Sequence, residues 1–160
     1  MKPIIVFGHQ RSGHHAFCEF ICQNVGGDWV YLNQPKWQNG MIGASTIISS
    51  KDLRLGSRVG LDTLQAFEHV VVSFERKQIN AEEAREFSEL IGCEALCLSF
   101  MRDPLNAAAS LIKMLRYDRN LVTKLQRQKD VWKSQYINFI EDAPFCKTFH
   151  FADFATSDKK

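Results

Sequence analysis

Short apolar runs of strand length alternate along this chain with longer stretches whose apolar residues recur at helical spacing. Glycine or proline residues separate most of these segments. This alternation predicts an α/β protein with a mainly parallel sheet, because parallel strands need crossover helices between them. The predicted strands cover residues 3–7, 69–74, 95–100 and 147–151, and the predicted helices cover 14–25, 104–116, 121–140 and the segment from a cap at Asn80 to Gly92.

One long segment departs from this alternation. Residues 29–32 favour a short strand, but the rest of residues 28–60 holds several glycines and serines and shows weak periodicity. Such composition predicts a long, partly irregular excursion of the kind that often carries specificity. The sequence contains no repeats and no low-complexity linker, so residues 1–160 are expected to form one domain.

A glycine-bounded loop follows the first predicted strand. It runs from Gly8 to Gly13 and leads directly into a predicted helix. Backbone N–H groups of such a loop and of a helix N-terminus point at bound anions, so this junction predicts a phosphate or sulfate site. The glycine spacing equals that of an ATP-binding P-loop, and we therefore expect a three-layer α/β domain of the nucleoside-kinase-like, P-loop type.

The side chains of this loop argue against magnesium-dependent ATP chemistry. His14 and His15 occupy the positions at which a P-loop carries Lys and then Ser or Thr. The ammonium that reaches the outer phosphates and the hydroxyl that binds magnesium are therefore both missing. Arg11, directly before Ser12, is the strong cation within the loop, and we expect it to bind the anion without a metal ion.

A second polar segment follows the predicted strand at residues 95–100. Arg102 lies at the strand end, and Ser110 lies two turns into the next helix. A guanidinium and a hydroxyl placed in this way can share one phosphate. Since ligands of parallel sheets bind beyond the carboxyl ends of the strands, we expect this segment and the glycine loop to open on the same cleft.

These two segments resemble motifs of the sulfotransferase family. Arg-Asp-Pro beginning at Arg102, followed by Ser110, is similar to the family's 3′-phosphate motif, and the loop at residues 8–13 resembles its 5′-phosphosulfate loop. A weaker similarity covers residues 149–154, which resemble the family's strand followed by Glu-Asp-Leu. Members of the family usually continue beyond that segment, so the resemblance is to a short or C-terminally truncated member.

The resemblance implies the sulfuryl donor 3′-phosphoadenosine-5′-phosphosulfate as cofactor, with no metal ion. Sulfuryl transfer needs groups that stabilise the leaving phosphate oxygen and a base for the acceptor proton. Arg11 and His14 are the candidates for the first task, and Glu75, directly after the strand at 69–74, is the candidate base. The implied acceptor is a hydroxyl or amine of a small molecule or a glycan. The implied donor-binding residues are Gly8, Arg11, Ser12, Gly13, His14, His15, Arg102 and Ser110.

Two other functions are compatible with the same sequence. One is a nucleotide-binding protein of this fold without transferase activity, which would bind adenosine 3′,5′-bisphosphate but turn over no acceptor. The other is a P-loop kinase-like enzyme, which would bind ATP or GTP with magnesium. The His14-His15 pair argues against the kinase-like function, because it supplies neither the lysine nor the magnesium ligand.

Composition narrows the expected partners and location. The net charge of +2 is too small for nucleic-acid binding by bulk electrostatics. No apolar run reaches membrane-spanning length and the first residues enter a strand directly, so neither a membrane nor a signal peptide is expected. Five cysteines without framework spacing indicate reduced thiols and a cytoplasmic location.

The start of the first helix also contains a possible set of metal ligands. His14 and His15 are followed at helical spacing by Cys18 and Cys22. Adjacent side chains on a helix point about 100° apart, and both cysteines fall where the apolar face should be. We therefore interpret Cys18 and Cys22 as buried structural thiols, with no metal at this position.

Overall fold

The computed structural model describes residues 1–8, 13–51, 55–75, 81–115, 118–140 and 146–152. Every predicted strand and helix is present, and the ends that can be compared differ from prediction by no more than one residue; the predicted cap at Asn80 and the predicted helix end at residue 116 lie outside the described residues. In chain order the elements are β1 (Lys2–Gly8), α1 (His14–Asn24), β2 (Trp29–Asn33), β3 (Lys36–Gln38), β4 (Met41–Gly43), β5 (Thr46–Ser49), β6 (Arg58–Gly60), α2 (Leu61–Leu64), β7 (His69–Glu75), α3 (Ala81–Ile91), β8 (Leu96–Met101), α4 (Pro104–Leu115), α5 (Leu121–Ile140) and β9 (Cys146–His150).

Six strands form the main sheet, in the order β5-β2-β7-β1-β8-β9. The strands from β2 to β9 in this order pair in parallel, and β5 adds to the edge antiparallel to β2. A mainly parallel α/β sheet is therefore confirmed. No helix among the described residues has the length and apolar character needed to cross a membrane.

The central strand β1 supplies side chains to two separate cores. Ile5 and Phe7 belong to the same core as Phe87 of α3. Ile4 and Val6 point the other way and belong to the same core as Phe17 of α1. Helices therefore lie on both faces of the sheet, and a strand buried in this way reads as the continuous apolar run seen in the sequence.

Residues 28–60 are more regular than predicted. After β2 this segment contains β5, which extends the main sheet, and β3, β4 and β6, which form a small antiparallel sheet. Ile42 and Val59 of the small sheet are buried in the core that contains Phe87, and the Trp37 ring lies 5.7 Å from the Phe87 ring. The three strands of this sheet have three residues each, which is too short for a period of two to be recognised.

The five cysteines are free thiols, and all except Cys93 are buried. The interpretation of Cys18 and Cys22 as buried thiols is therefore confirmed. Burial raises the pKa of Cys22 and Cys146 to about 12 and that of Cys97 to about 11, because the charged thiolate is poorly solvated inside the protein.

We expect alkylation of the native protein to be confined to Cys93. This thiol is partly exposed, whereas burial and a raised pKa leave the other cysteines with little accessible thiolate at mildly alkaline pH. Iodoacetamide should therefore add one label per native chain and five labels per chain unfolded in urea, as counted by mass spectrometry. Rapid labelling of Cys18 or Cys22 in the native protein would contradict the packing of α1 on the sheet.

Candidate functional site

The carboxyl ends of β7, β1 and β8 lie side by side at one edge of the sheet. In the parallel register Gly8 at the end of β1 is opposite Glu75 on β7 and opposite Phe100 on β8. The loop that begins after Gly8 therefore starts between the candidate base and the Arg102 segment, which follows β8. The loop after Gly8 and the segment that begins at Arg102 therefore follow neighbouring strands and start at the same end of the sheet.

Gly13 and Arg102 contact the same aromatic ring. Gly13 has a φ of +90°, and a Cβ atom at this position would lie 3.0 Å from the Phe151 ring. Both the left-handed backbone and the close ring favour glycine here. The guanidinium carbon of Arg102 lies 4.7 Å from the centroid of the Phe151 ring. The Phe151 ring, directly after β9, is therefore close both to Gly13 at the start of α1 and to Arg102, the residue after β8.

The remainder of the Arg102 segment begins α4. Asp103 Oδ1 accepts a 2.8 Å hydrogen bond from the backbone N–H of Asn106, so this carboxylate caps the helix. Ser110 is half-buried in α4, three residues after the fully buried Ala107. That spacing places Ser110 beside Ala107 along the same side of the helix.

The first turn of α1 carries backbone donors suited to an anion. The first helical hydrogen bond runs from Phe17 N–H to the Gly13 carbonyl, at 3.2 Å. The backbone N–H groups of His14 and His15 precede this first helical hydrogen bond and lie at the positive end of the helix dipole. The first turn, which the structure describes in full, contains no acidic residue. Arg11 and Ser12, which were predicted to complete this anion site, lie outside the described residues.

Glu75 faces both histidines of α1. Its Oε1 lies 3.8 Å from His14 Nδ1 and 3.7 Å from His15 Nε2, and its Oε2 accepts a 3.3 Å hydrogen bond from Gln34 Nε2. The side chain of His14 is 1% exposed, that of Glu75 is 12% exposed and that of His15 is 54% exposed. The imidazole of His14, predicted to reach a phosphate, therefore lies buried against Glu75, and its backbone N–H is the group placed at the helix start.

A chain of hydrogen bonds holds His15 from the side away from Glu75. His15 Nδ1 lies 3.3 Å from the Tyr31 hydroxyl, which lies 2.8 Å from Ser73 Oγ. Ser73 Oγ donates to Asn33 Oδ1 at 2.8 Å. Burial raises the pKa of Tyr31 well above its ordinary value, so the phenol stays protonated and can donate a hydrogen bond.

A large polar groove opens beside Glu75. Its volume is about 840 Å³, and Glu75 forms part of its wall. Lys36 and Arg58 bring two positive charges to the same wall. A polar ligand in this groove would be within reach of the Glu75 carboxylate. The remaining polar residues of the wall are Asn33, Gln34, Gln38, Asn39, Ser45 and Ser57.

We expect Gly8→Ala to destabilise the protein and to disturb the cluster of His14, His15 and Glu75, called the Glu75 cluster below. A Cβ atom on Gly8 would lie 2.8 Å from both Cβ and Cγ of His14, and the buried ring has little room to move. The free energy of unfolding in urea should fall by about 1–3 kcal/mol. Gly56→Ala is the matched control, because no heavy atom lies within 4 Å of its added methyl group; equal effects of the two substitutions would contradict the tight packing of His14.

The structure brings most of the described candidate residues to one place. Sequence reasoning missed the buried hydrogen-bond chain through Tyr31, Asn33 and Ser73. A signal was present, because Ser73 interrupts the apolar run from Val70 to Phe74 with a hydroxyl that must find a partner when buried. The candidates that lie together are Gly8, Gly13, His14, His15, Glu75 and Arg102, whereas Ser110 lies further along α4.

No protein-family model matches this sequence, and no curated protein matches it significantly. Its function is therefore inferred from the site.

Proposed function

We propose that this protein is a sulfotransferase-like enzyme that moves a sulfuryl group from 3′-phosphoadenosine-5′-phosphosulfate to a hydroxyl or amine acceptor. The observation that carries the proposal is the shared contact of Gly13 and Arg102 with Phe151. A nucleotide bound around that ring would meet backbone N–H groups with one phosphate and a guanidinium with another. The finer fold assignment, a three-layer P-loop domain, belongs to the same proposal and is supported by the glycine loop between β1 and α1.

The order of groups along the sheet edge suits transfer between two ligands. The polar groove and Glu75 lie on the β7 side of β1, and Arg102 follows β8 on the other side. Neighbouring strands lie about 4.8 Å apart, so these two sides are separated by roughly 10 Å. A donor with its 3′-phosphate at Arg102 and its phosphosulfate at the start of α1 would direct the sulfur toward Glu75.

In the proposed reaction, an acceptor oxygen or nitrogen attacks sulfur as the bond from sulfur to the 5′-phosphate oxygen breaks. Glu75 Oε1 takes the acceptor proton, and adenosine 3′,5′-bisphosphate leaves. Negative charge grows on the departing phosphate oxygen, where the N–H groups of α1 and the cation of Arg11 stabilise it without a metal ion. Gln34 Nε2 donates to Oε2 and so orients the carboxylate, and the buried imidazole of His14 packs 3.8 Å from Oε1.

The groove supports a polar acceptor. Its amide and hydroxyl side chains can exchange hydrogen bonds with the hydroxyl groups of a small molecule or of a glycan unit. Lys36 and Arg58 would favour an acceptor that itself carries negative charge.

Calorimetric titration with a set of nucleotides tests the proposal. Adenosine 3′,5′-bisphosphate should bind at least tenfold more tightly than adenosine 5′-monophosphate, and magnesium should not change its affinity. Tight binding of ATP only with magnesium would instead support the kinase-like alternative. Tight binding of the bisphosphate, with no transfer to any acceptor in a panel, would support the inactive nucleotide-binding protein.

A further inference from the structure

Three potential metal ligands converge at the start of α1. Nitrogen atoms of His14 and His15 and a carboxylate oxygen of Glu75 all lie within 4.8 Å of one another. Glu75 Oε1 lies 3.8 Å from His14 Nδ1 and 3.7 Å from His15 Nε2. The sequence shows no such set, because Glu75 is separated from the two histidines by most of the first half of the chain.

The two separations from Glu75 Oε1 are close to the dimensions of a tetrahedral zinc site. Zinc binds histidine nitrogen and carboxylate oxygen at about 2.0–2.2 Å, which places neighbouring ligand atoms roughly 3.4 Å apart. The distances from Glu75 Oε1 to His14 and His15 exceed this value by only a few tenths of an ångström. The nitrogens of His14 and His15 lie within 4.8 Å of each other, so the exposed His15 side chain is the one that would rotate to bring the three atoms to bonding distance of one ion.

The hydrogen-bond chain behind His15 prepares this ring as a ligand. Ser73 donates its proton to Asn33, so the Tyr31 hydroxyl donates to Ser73 and its oxygen accepts from His15 Nδ1–H. In the neutral ring the lone pair is then on Nε2, the atom that faces Glu75 Oε1. Two acceptors facing each other call for a cation between them, and a hydrogen bond from the second ring nitrogen is the usual support of a metal-bound histidine.

The orientation of Glu75 and the solvent access beside His15 also suit a metal ion. Gln34 donates to Glu75 Oε2, which leaves Oε1 directed at the two imidazoles. His14 and Glu75 are largely buried, whereas His15 is 54% exposed, so an ion could enter from the His15 side. A fourth ligand, such as water, would come from that same open side.

We propose that His14 Nδ1, His15 Nε2 and Glu75 Oε1 form a Zn²⁺ site with an open fourth position. Two imidazoles and one carboxylate are a ligand set that zinc accepts, whereas magnesium and calcium require oxygen ligands. The site needs no nucleotide, and it goes beyond the proposed function. Because zinc would occupy Glu75 Oε1, zinc binding and proton removal by Glu75 exclude each other, and zinc would inhibit transfer.

Zinc titration of the nucleotide-free, metal-stripped protein tests the site. Cys93→Ser should be present in every sample, because Cys93 is the cysteine that is not buried. In this background we expect one zinc per chain, and His15→Ala and Glu75→Gln should each lower the affinity at least tenfold. His150→Ala, at the end of β9, and Glu89→Gln, an exposed residue of α3, are matched controls that should stay within twofold.

Tyr31→Phe tests the support of His15 separately from the ligands. It removes the hydroxyl that holds Nδ1 but keeps the ring, so we expect zinc affinity to fall about tenfold. Circular dichroism should show that each variant is folded; His15 is exposed and Glu75→Gln conserves shape, so neither substitution should disturb packing. Cobalt in place of zinc should give the visible spectrum of a tetrahedral nitrogen and oxygen site.

Three results would overturn the zinc site: no zinc bound by the native protein, unchanged affinity in both His15→Ala and Glu75→Gln, or a sulfur-to-cobalt charge-transfer band. If the protein bound zinc but no nucleotide, the zinc site would be supported and the proposed function rejected. If it bound the nucleotide but no zinc, the zinc site would be rejected and the proposed function would be unaffected.

Discussion

Glu75→Gln should lower the rate of sulfuryl transfer about 10²–10⁴-fold at saturating donor and acceptor. Glutamine has the shape of glutamate but cannot take the acceptor proton. Affinity for adenosine 3′,5′-bisphosphate should stay within about twofold, because Glu75 lies on the β7 side of the loop, away from Arg102. The measurement is release of adenosine 3′,5′-bisphosphate from the donor, in the presence of a panel of polar acceptors and a metal chelator.

Glu89→Gln provides the matched control for this substitution. The Glu89 side chain is 71% exposed on α3 and pairs only with Arg85 among the side-chain contacts that the structure describes. Its replacement should leave the rate unchanged within twofold. If Glu75→Gln and Glu89→Gln were equally active, Glu75 would not be the base, and the Glu75 cluster would have no role in proton transfer.

Arg102→Ala should weaken the binding of adenosine 3′,5′-bisphosphate by about 2 kcal/mol, or roughly 30-fold. In the proposed complex, the substitution removes a charge-assisted contact to the 3′-phosphate, and it also removes the contact of the guanidinium with the Phe151 ring. Since the 3′-phosphate is remote from the reacting sulfur, this contact is the same in the ground state and the transition state. The rate at saturating donor should therefore change much less than the affinity.

Two substitutions control for loss of charge and for loss of shape. Arg119→Ala removes an exposed arginine between α4 and α5 and should not change nucleotide affinity. Arg102→Lys keeps the charge but loses the planar fork, so it should give an intermediate affinity. Equal affinity of the native protein and Arg102→Ala would mean that the nucleotide does not reach the end of β8.

The fold could largely be predicted because its main elements carry strong local patterns. The apolar run of β1, with residues from Ile4 to Phe7 buried on both faces, is typical of a central parallel strand. The 20-residue helix α5 has a long helical pattern, and its range of Leu121–Ile140 is the range that the pattern predicts. The small sheet of β3, β4 and β6 could not be predicted, since its stability comes from Ile42 and Val59 packing against residues distant in sequence.

Part of the candidate site could likewise be predicted from local motifs, and part of it depends on strand pairing. The loop from Gly8 and the segment from Arg102 each contain a local motif, and the rule for carboxyl ends of parallel strands predicts that they share an edge. The contact of Glu75 with the histidines depends on the register between β1 and β7, which the sequence does not encode locally. The role of Phe151 depends likewise on the pairing of β9 with β8, because only that pairing brings its ring to Arg102.

The central claim is that the end of β8 binds a 3′-phosphate, and a four-way affinity comparison tests it most directly. The native protein and Arg102→Ala are each titrated with adenosine 3′,5′-bisphosphate and with adenosine 5′-monophosphate. The native protein should prefer the bisphosphate at least tenfold, and Arg102→Ala should bind both nucleotides with similar, weak affinity. If Arg102→Ala kept the native preference for the 3′-phosphate, the claim would be contradicted, and with it the assignment of this protein as sulfotransferase-like.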